Sequence, residues 1–334
     1  MSKRQKIEDI SDIADGIRSG NRRALARGIT LIESSRSEDL EAGQQLLETL
    51  MPYTGNSVRV GISGVPGVGK STFIESLGIK SIARGQKVAV LAVDPSSPYS
   101  GGSIMGDKTR MQDLSASEAA FIRPSPTGGT LGGVARKTRE SMLLCEAAGY
   151  DFIMIETVGV GQSEYEVAHM VDFFLVMLLP GGGDALQGIK KGIIEVADML
   201  VINKAEGEQL ELAKIAKKEY HQALKLVASD HDYEVAIKLC SALNGDGIEE
   251  IRDHIQKLTH RQAESGQFER RRKQQLDNWM RRLTEQTLLT RLWQDERVSE
   301  LAEDLKKQLQ SGQTTPVNAS RKLIGLFLEN SGNG

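Results

Sequence analysis

Cysteine is scarce. The 334 residues hold two, Cys145 and Cys240, each among apolar neighbours: Met142-Leu143-Leu144 before the first and Ile237-Lys238-Leu239 before the second. That is too little for a disulfide framework and the wrong setting for a metal pair, so both are expected as reduced core residues. Histidine is thin as well. His169, His221, His231, His254 and His260 are scattered without ligand spacing, and a transition-metal site of the protein's own is unsupported. No apolar run approaches the roughly 18 residues of a membrane span, and Met1–Gly20 lacks the apolar core of a signal peptide. The expectation is a soluble, cytoplasmic protein with no membrane partner. Charge of one sign is missing too: Lys+Arg 42 against Asp+Glu 45 gives a net −3, which offers no general attraction to nucleic acid.

What the chain does contain is Gly64-Val65-Pro66-Gly67-Val68-Gly69-Lys70-Ser71-Thr72, a fit to G-x-x-x-x-G-K-[ST]. Its flanks are those the pattern needs. Val58-Arg59-Val60-Gly61-Ile62 reads as a β-branched strand, and Phe73–Ala83, with Phe73, Ile74, Leu77 and Ile82, reads as a helix. Strand, glycine loop and helix N-terminus form a phosphate cradle, in which loop N–H groups and the helix dipole favour an anion. Lys70 is expected to reach the β- and γ-phosphates, and the Ser71 hydroxyl to ligate Mg²⁺. The chain is therefore a nucleotide-binding protein.

Before this unit the sequence is helical. Ile7, Ile10, Ile13 and Ile17 recur at helical spacing, as do Leu25, Ile29 and Ile32; Ser37-Glu38-Asp39 opens a third helix with Leu46, Leu47 and Leu50. This stretch, 1–55, is expected to pack on the nucleotide domain or on a partner. From 56 to 262 strands alternate with helices, as in a mainly parallel α/β sheet. The expected strands after the first are Lys87–Val93, Ala119–Pro124, Asp151–Val158, Asp172–Leu179, Asp198–Ile202 and Val235–Leu239. Glycine-rich segments follow several of them: Pro95–Met111, Thr127–Gly133 and Pro180–Lys191. From 263 to 334 the composition turns helical again. Glu269-Arg270-Arg271-Arg272-Lys273 reads as a solvated helix face, Leu276, Trp279, Met280 and Leu283 begin an apolar stripe that Leu288, Leu289, Leu292 and Trp293 extend, and Thr315-Pro316 caps a last helix. Both tryptophans lie in this arm, which points to self-packing or to an interface.

Chemistry in an open α/β sheet sits beyond the strands' carboxyl ends. Glu156-Thr157-Val158-Gly159 stands at such an end, where GTPases carry D-x-x-G: the acid holds the metal and the Gly159 N–H senses the γ-phosphate. Two later strand ends carry Asn203-Lys204-Ala205-Glu206 and Ser241-Ala242-Leu243, in the order of the N-K-x-D and S-A-x guanine-reading pair. In such a pair the Asn contacts the base, the Lys stem covers the ring, and the acid accepts the two guanine N–H groups that adenine lacks. Position 206 is Glu where the pattern has Asp, which lengthens the reach by one methylene.

Together these segments resemble the MeaB/ArgK family, bacterial relatives of the methylmalonic aciduria type A protein. The resemblance is carried by Ser19-Gly20-Asn21-Arg22-Arg23-Ala24-Leu25-Ala26, Gly64–Thr72, Val93–Pro98, Gly101–Met111, Glu156–Glu164, and Gly182-Gly183-Asp184 with Leu186–Gly192. It implies an α/β P-loop G domain with N-terminal helices and a C-terminal dimerisation arm, the whole a homodimer. It implies a GTPase, GTP being the substrate and GDP the product, that chaperones an adenosylcobalamin-dependent acyl-CoA mutase, chiefly methylmalonyl-CoA mutase, by gating cofactor loading and protecting or reactivating the enzyme. By resemblance the magnesium shell is Ser71, Asp94, Asp107 and Glu156, and Lys70, Asp107, Glu156 and Gly159 serve catalysis. Pro95–Met111 and Thr157–Glu164 are the two nucleotide switches, and Pro180–Lys191 is the switch that reports to the mutase.

Ras-like proteins place a water-orienting Gln after the D-x-x-G glycine; here Val160 stands there. Slow intrinsic hydrolysis is expected, accelerated by a partner that orders Asp107 or adds a cation, with Lys190 as one donor. Three other classes stay open: a kinase for a periplasmic amino-acid-binding protein, a GTPase assisting nickel insertion, and a scaffold that holds nucleotide without hydrolysing it.

Overall fold

The β-branched run that precedes the glycine loop continues into it as β1 (Val58–Gly64), and its neighbours follow from the other apolar runs. The computed structural model describes residues 10–93, 111–124, 131–157, 163–181, 191–224 and 235–329. The strands after β1 are β2 (Val88–Val93), β3 (Ala120–Arg123), β4 (Phe152–Thr157), β5 (Phe173–Leu178), β6 (Met199–Ile202) and β7 (Ala236–Leu239). They form a seven-stranded sheet in the order β3-β2-β4-β1-β5-β6-β7, and every described pairing is parallel. The α/β class is as expected, with strand ends trimmed by a residue or two. β1 sits centrally between β4 and β5, with Ile62 level with Glu156 on one side and Leu175 on the other.

The strands are apolar on both faces because both faces are covered. Alternate residues go to opposite cores: Ile153 and Ile155 of β4 to one, Phe152 and Met154 to the other. The first core takes α1 (Ile10–Arg18), α2 (Arg22–Glu33), α3 (Ser37–Leu50), α6 (Leu131–Ala147) and α9 (Gln209–Leu224). The second takes α4 (Lys70–Ala83), α5 (Gln112–Ala116) and α10 (Ile248–Glu264). The N-terminal helices supply Ile17, Leu25, Ile29, Ile32, Leu46 and Leu50, each fully or almost fully buried. At roughly 1.5–3 kcal/mol per buried aliphatic side chain, that face alone accounts for fastening them. Gly28 of α2 makes the packing close, since a Cβ there would stand 2.9 Å from Ile17 and 3.2 Å from both Leu46 and Leu144. Cys145 and Cys240 are free thiols buried in these cores. Burial pushes both thiols up, that of Cys240 to about 12.

Two short helices come after β4 and β5 in the chain, α7 (Ser163–Ala168) and α8 (Lys191–Glu195). The chain divides into two compact units, Met1–Phe268 and Glu269–Gly334. The second consists of most of α11 (Gln267–Gln294) with α12 (Glu296–Gln310) and α13 (Pro316–Leu328). Thr315 does cap α13, its hydroxyl accepting from the Asn318 amide, with Pro316 in the first turn. Val298, Ala302, Leu305 and Ala319 form the buried part of this unit. The α11 helix buries none of its residues, and Leu276, Met280, Leu288, Leu289 and Trp293 along it are exposed.

Candidate nucleotide site

The glycine loop lies between β1 and α4, at the centre of the sheet's carboxyl edge. Gly69 is the N-cap of α4, at φ 94 with no side chain to cap the first amides, so those N–H groups stay available to an anion. Glycine is required twice over at this position. The left-handed backbone disfavours a side chain, and a Cβ would stand 2.7 Å from Asn203 Nδ2. Lys70 opens the helix, and its ammonium folds back to donate to the Gly64 carbonyl at 2.8 Å. Burial lowers the Lys70 pKa from its ordinary value, against the opposing pull of the Glu156 and Glu164 carboxylates. Ser71 and Thr72 follow in the first turn of α4, and Val68 of the loop is fully buried.

Glu156, at the end of β4, is 5% exposed and level with Ile62 of β1 and Ala92 of β2. That puts a buried carboxylate on the strand beside the loop. A hydroxyl and a carboxylate are hard oxygen donors of the kind Mg²⁺ takes, so the described members of the expected metal shell, Ser71 and Glu156, fit that ion. Asp94, Asp107 and Gly159 lie outside the described residues, as do Val160, Lys190 and most of the three expected switches.

A further acid belongs to this site. Glu164, in the first turn of α7, is 2% exposed and accepts from Ser63 Oγ at 3.3 Å. In the sequence it was only the last residue of an expected switch. A carboxylate in the first turn of a short, mostly polar helix, Ser163-Glu164-Tyr165-Glu166-Val167-Ala168, carries no sign of burial, so its pairing with β1 needed the fold.

The residues expected to read the base come together at the ends of β6 and β7. Asn203 Nδ2 donates to the Val68 carbonyl at 2.8 Å, and its Oδ1 accepts from the Ala242 amide at 2.9 Å and from the Cys240 thiol at 3.4 Å. One residue therefore ties the phosphate loop to the Ser241-Ala242-Leu243 turn, and one N–H of its amide is left for a base. Asn203, expected as a base contact, is here a brace between the two segments. Lys204 is exposed at φ 60, the one non-glycine residue with positive φ among the described residues. Such conformations concentrate at functional sites, where the surrounding structure imposes them; here Asn203 N–H donates to Leu178 and Ala205 N–H to Cys240 on either side. Ser241 is fully buried, its hydroxyl accepting from the Asn244 amide at 3.0 Å, while Leu243 is 78% exposed. Glu206 is partly buried, and its Oε2 is sealed from solvent without a hydrogen-bond partner. An unmatched buried acceptor costs about 1–3 kcal/mol; turning the carboxylate out to a ligand's N–H donors would recover it.

The profile of the family described as "Methylmalonyl Co-A mutase-associated GTPase MeaB" matches residues 25–297. The "GTPase ArgK" of Escherichia coli is 50% identical over 84% of this chain and 85% of that protein. The "Methylmalonic aciduria type A homolog, mitochondrial" of Mus musculus is 43% identical over 93% of this chain and 78% of its own length. A solved structure described as a "LAO/AO transport system kinase" superposes with a TM-score of 0.79 at 39% identity, covering 96% of this chain and 97% of its own.

Proposed function

The chain belongs to the MeaB family of P-loop GTPases, and from that premise we propose that it is a guanine-specific, Mg²⁺-dependent GTPase chaperoning an adenosylcobalamin-dependent acyl-CoA mutase. Hydrolysis of GTP is the activity of the family. The observation that carries the choice of base is Glu206, three residues past Asn203, with a carboxylate oxygen that no protein donor meets. Guanine brings N1–H and an exocyclic amine, adenine brings no such pair, and a carboxylate at this corner accepts from the first and not the second. The longer Glu side chain takes the place of the usual Asp.

The chain's own groups divide the work. Loop amides and Lys70 hold the β- and γ-phosphates; Lys70 must leave the Gly64 carbonyl to do so, exchanging a neutral acceptor for an anionic one. Ser71, Glu156, Asp94 and Asp107 hold the metal, and Gly159 senses the γ-phosphate. Bound Mg²⁺ supplies neutralisation of phosphate charge. An attacking water lies in line with the transferred group. Val160 does not orient it, so turnover is slow until a partner completes the site.

The mutase as partner is supported by the family description and by the mouse relative's name. A homodimer built on the arm is supported by the exposed apolar stripe of α11, Leu276, Met280, Leu288, Leu289 and Trp293, and equilibrium sedimentation of the full chain tests it: a monomer at micromolar concentration refutes it. The deciding experiment is Mg²⁺-dependent phosphate release from GTP and from ATP, with and without purified methylmalonyl-CoA mutase. A preference for GTP and a severalfold rise with the mutase are expected. Equal use of ATP overturns the base assignment, and indifference to the mutase overturns the partner. Label passing from γ-phosphate to a protein instead of to water would favour a kinase, the activity in the solved relative's description.

A further inference from the structure

Helix α7 carries two adjacent side chains with different destinations. Glu164 goes to the phosphate loop's base, paired with Ser63, next to the Gly64 carbonyl that holds Lys70. Tyr165 goes to α8. A Cβ on Gly192 would overlap the Tyr165 hydroxyl oxygen and stand 3.2 Å from its Cζ. Gly192 has no left-handed backbone to explain the missing side chain; the space it leaves is filled by the tyrosine. Burial, then the carboxylates of Glu195 at the end of α8 and Glu164, raise the phenol's pKa, so the hydroxyl is neutral.

The remainder of α7 is held on two sides. Val167 packs on β1 at Gly61, where a Cβ would stand 2.8 Å from Val167 and 2.8 Å from Phe174. Just past the helix, the Arg139 guanidinium donates to the His169 carbonyl at 2.8 Å, and His169 Nδ1 lies 2.6 Å from the Tyr165 carbonyl. A six-residue helix pinned against the sheet and at its end cannot absorb a shift of its first turn internally. Close-packed contacts of this kind pass displacement on to the next element.

We propose that Glu164 and Tyr165 are positioning residues which couple the state of the phosphate site to α8, Glu164 following Lys70 and the end of β1, and Tyr165 setting the place of α8 through Gly192. Lys70 donates to the Gly64 carbonyl, and bound nucleotide would exchange that carbonyl for a phosphate oxygen. That exchange alters the electrostatic surroundings of Glu164, and its neighbour carries the change to the helix that follows the 182–190 segment. The use of the signal by a mutase rests on the functional reading above; the coupling itself needs only nucleotide binding.

The test is amide hydrogen exchange of the full chain, comparing residues 191–195 with GDP bound and with guanylyl imidodiphosphate bound. The wild-type protein should exchange severalfold faster in one state than in the other. Tyr165→Ala should erase that difference while leaving GDP affinity unchanged, and Glu164→Gln should erase it as well. Gly192→Ala should disturb exchange at 191–195 even without nucleotide. Adding Tyr165→Phe, which deletes the atom that the new Cβ strikes, should restore the wild-type pattern. Identical exchange in the two nucleotide states of the wild type overturns the proposal, and so does a Tyr165→Ala protein that keeps the full response. Failure of Tyr165→Phe to rescue Gly192→Ala does the same. A chain that hydrolyses GTP yet ignores the mutase would refute the partner and leave this result standing.

Discussion

At the amino ends of the strands Asp151, Asp172 and Asp198 each hold a neighbouring strand's amide, whereas at the carboxyl ends Lys70 has a backbone carbonyl for company and Glu206 keeps an oxygen with no partner. The amino end repeats one device three times. Lys87, Arg59 and Phe174 donate their amides to the carboxylates of Asp151, Asp172 and Asp198 at 2.8, 2.9 and 2.6 Å. Each aspartate returns its own amide to the same residue's carbonyl at 2.9, 2.9 and 2.8 Å. Alongside, Glu146 receives both Arg59 Nε and Nη2 at 2.8 Å, with the Ser57 hydroxyl and the Gly55 amide completing its set. The Arg59 pKa is raised: burial opposes the charge, and the bond to Glu146 and the fields of Glu146 and Asp172 outweigh it. Buried charge that is fully partnered is costly to break; buried charge left short of partners is where a ligand can complete the set.

The widest separation between the two ends is expected from Glu146→Ala. It strands the Arg59 guanidinium in the core, and removing one member of a buried pair costs about 3–5 kcal/mol. Urea unfolding should show that loss, with GDP affinity of the folded protein unchanged. A cost below about 1 kcal/mol, the range of exposed pairs, would mean that the network is idle. Lys70→Ala is the opposite case. Phosphate release from GTP should fall about 10²–10³-fold, the usual cost of deleting one charge-stabilising donor. The melting temperature should hold or rise, because burial already disfavours this ammonium. A large drop in melting temperature would show Lys70 to be a structural cation and break the comparison. Next in size is Glu206→Ala, which removes a charged acceptor worth about 1.5–3 kcal/mol per hydrogen bond. GTP affinity by titration calorimetry should weaken about 10- to 100-fold with ATP affinity unmoved; equal losses for both nucleotides would take the base-reading role away from position 206.

Much of this is legible in the sequence alone. The Gly64–Thr72 loop announces strand, turn and helix by chemistry that few other contexts share, and the apolar runs ending at Val93, Glu156, Ile202 and Leu239 deliver the strands. Such local patterns survive folding because they are set by backbone conformation and by burial on both faces. The rest depends on residues far apart in the chain. Nothing near Glu164 in sequence says that Ser63, 101 positions earlier, will bond it. Asn203 reads as a base contact, yet its bond to Val68 spans 135 positions and makes it a brace. Asp151, Asp172 and Asp198 read only as strand-starting acids; that each closes a two-way clasp with a neighbouring strand follows from sheet order, which periodicity does not encode. Glu206 could be placed by motif, but its sealed oxygen required the surrounding walls.

The smallest expected effect falls at the amino end and tests the comparison most finely. Asp198→Asn keeps an oxygen that can accept from the Phe174 amide but removes the charge. The bond changes from charge-assisted to neutral, a difference of about 1 kcal/mol. Asp198 itself is fully buried, so losing its desolvation cost offsets part of that. Urea unfolding should therefore shift by about 1 kcal/mol or less, and guanine-nucleotide affinity should not move. β6 joins Asp198 directly to Asn203, with four strand residues between them and their neighbours. If so mild a change at one end altered nucleotide affinity, the strand would be acting as a lever between its ends, and the separation of a stabilising edge from a binding edge would not hold for β6.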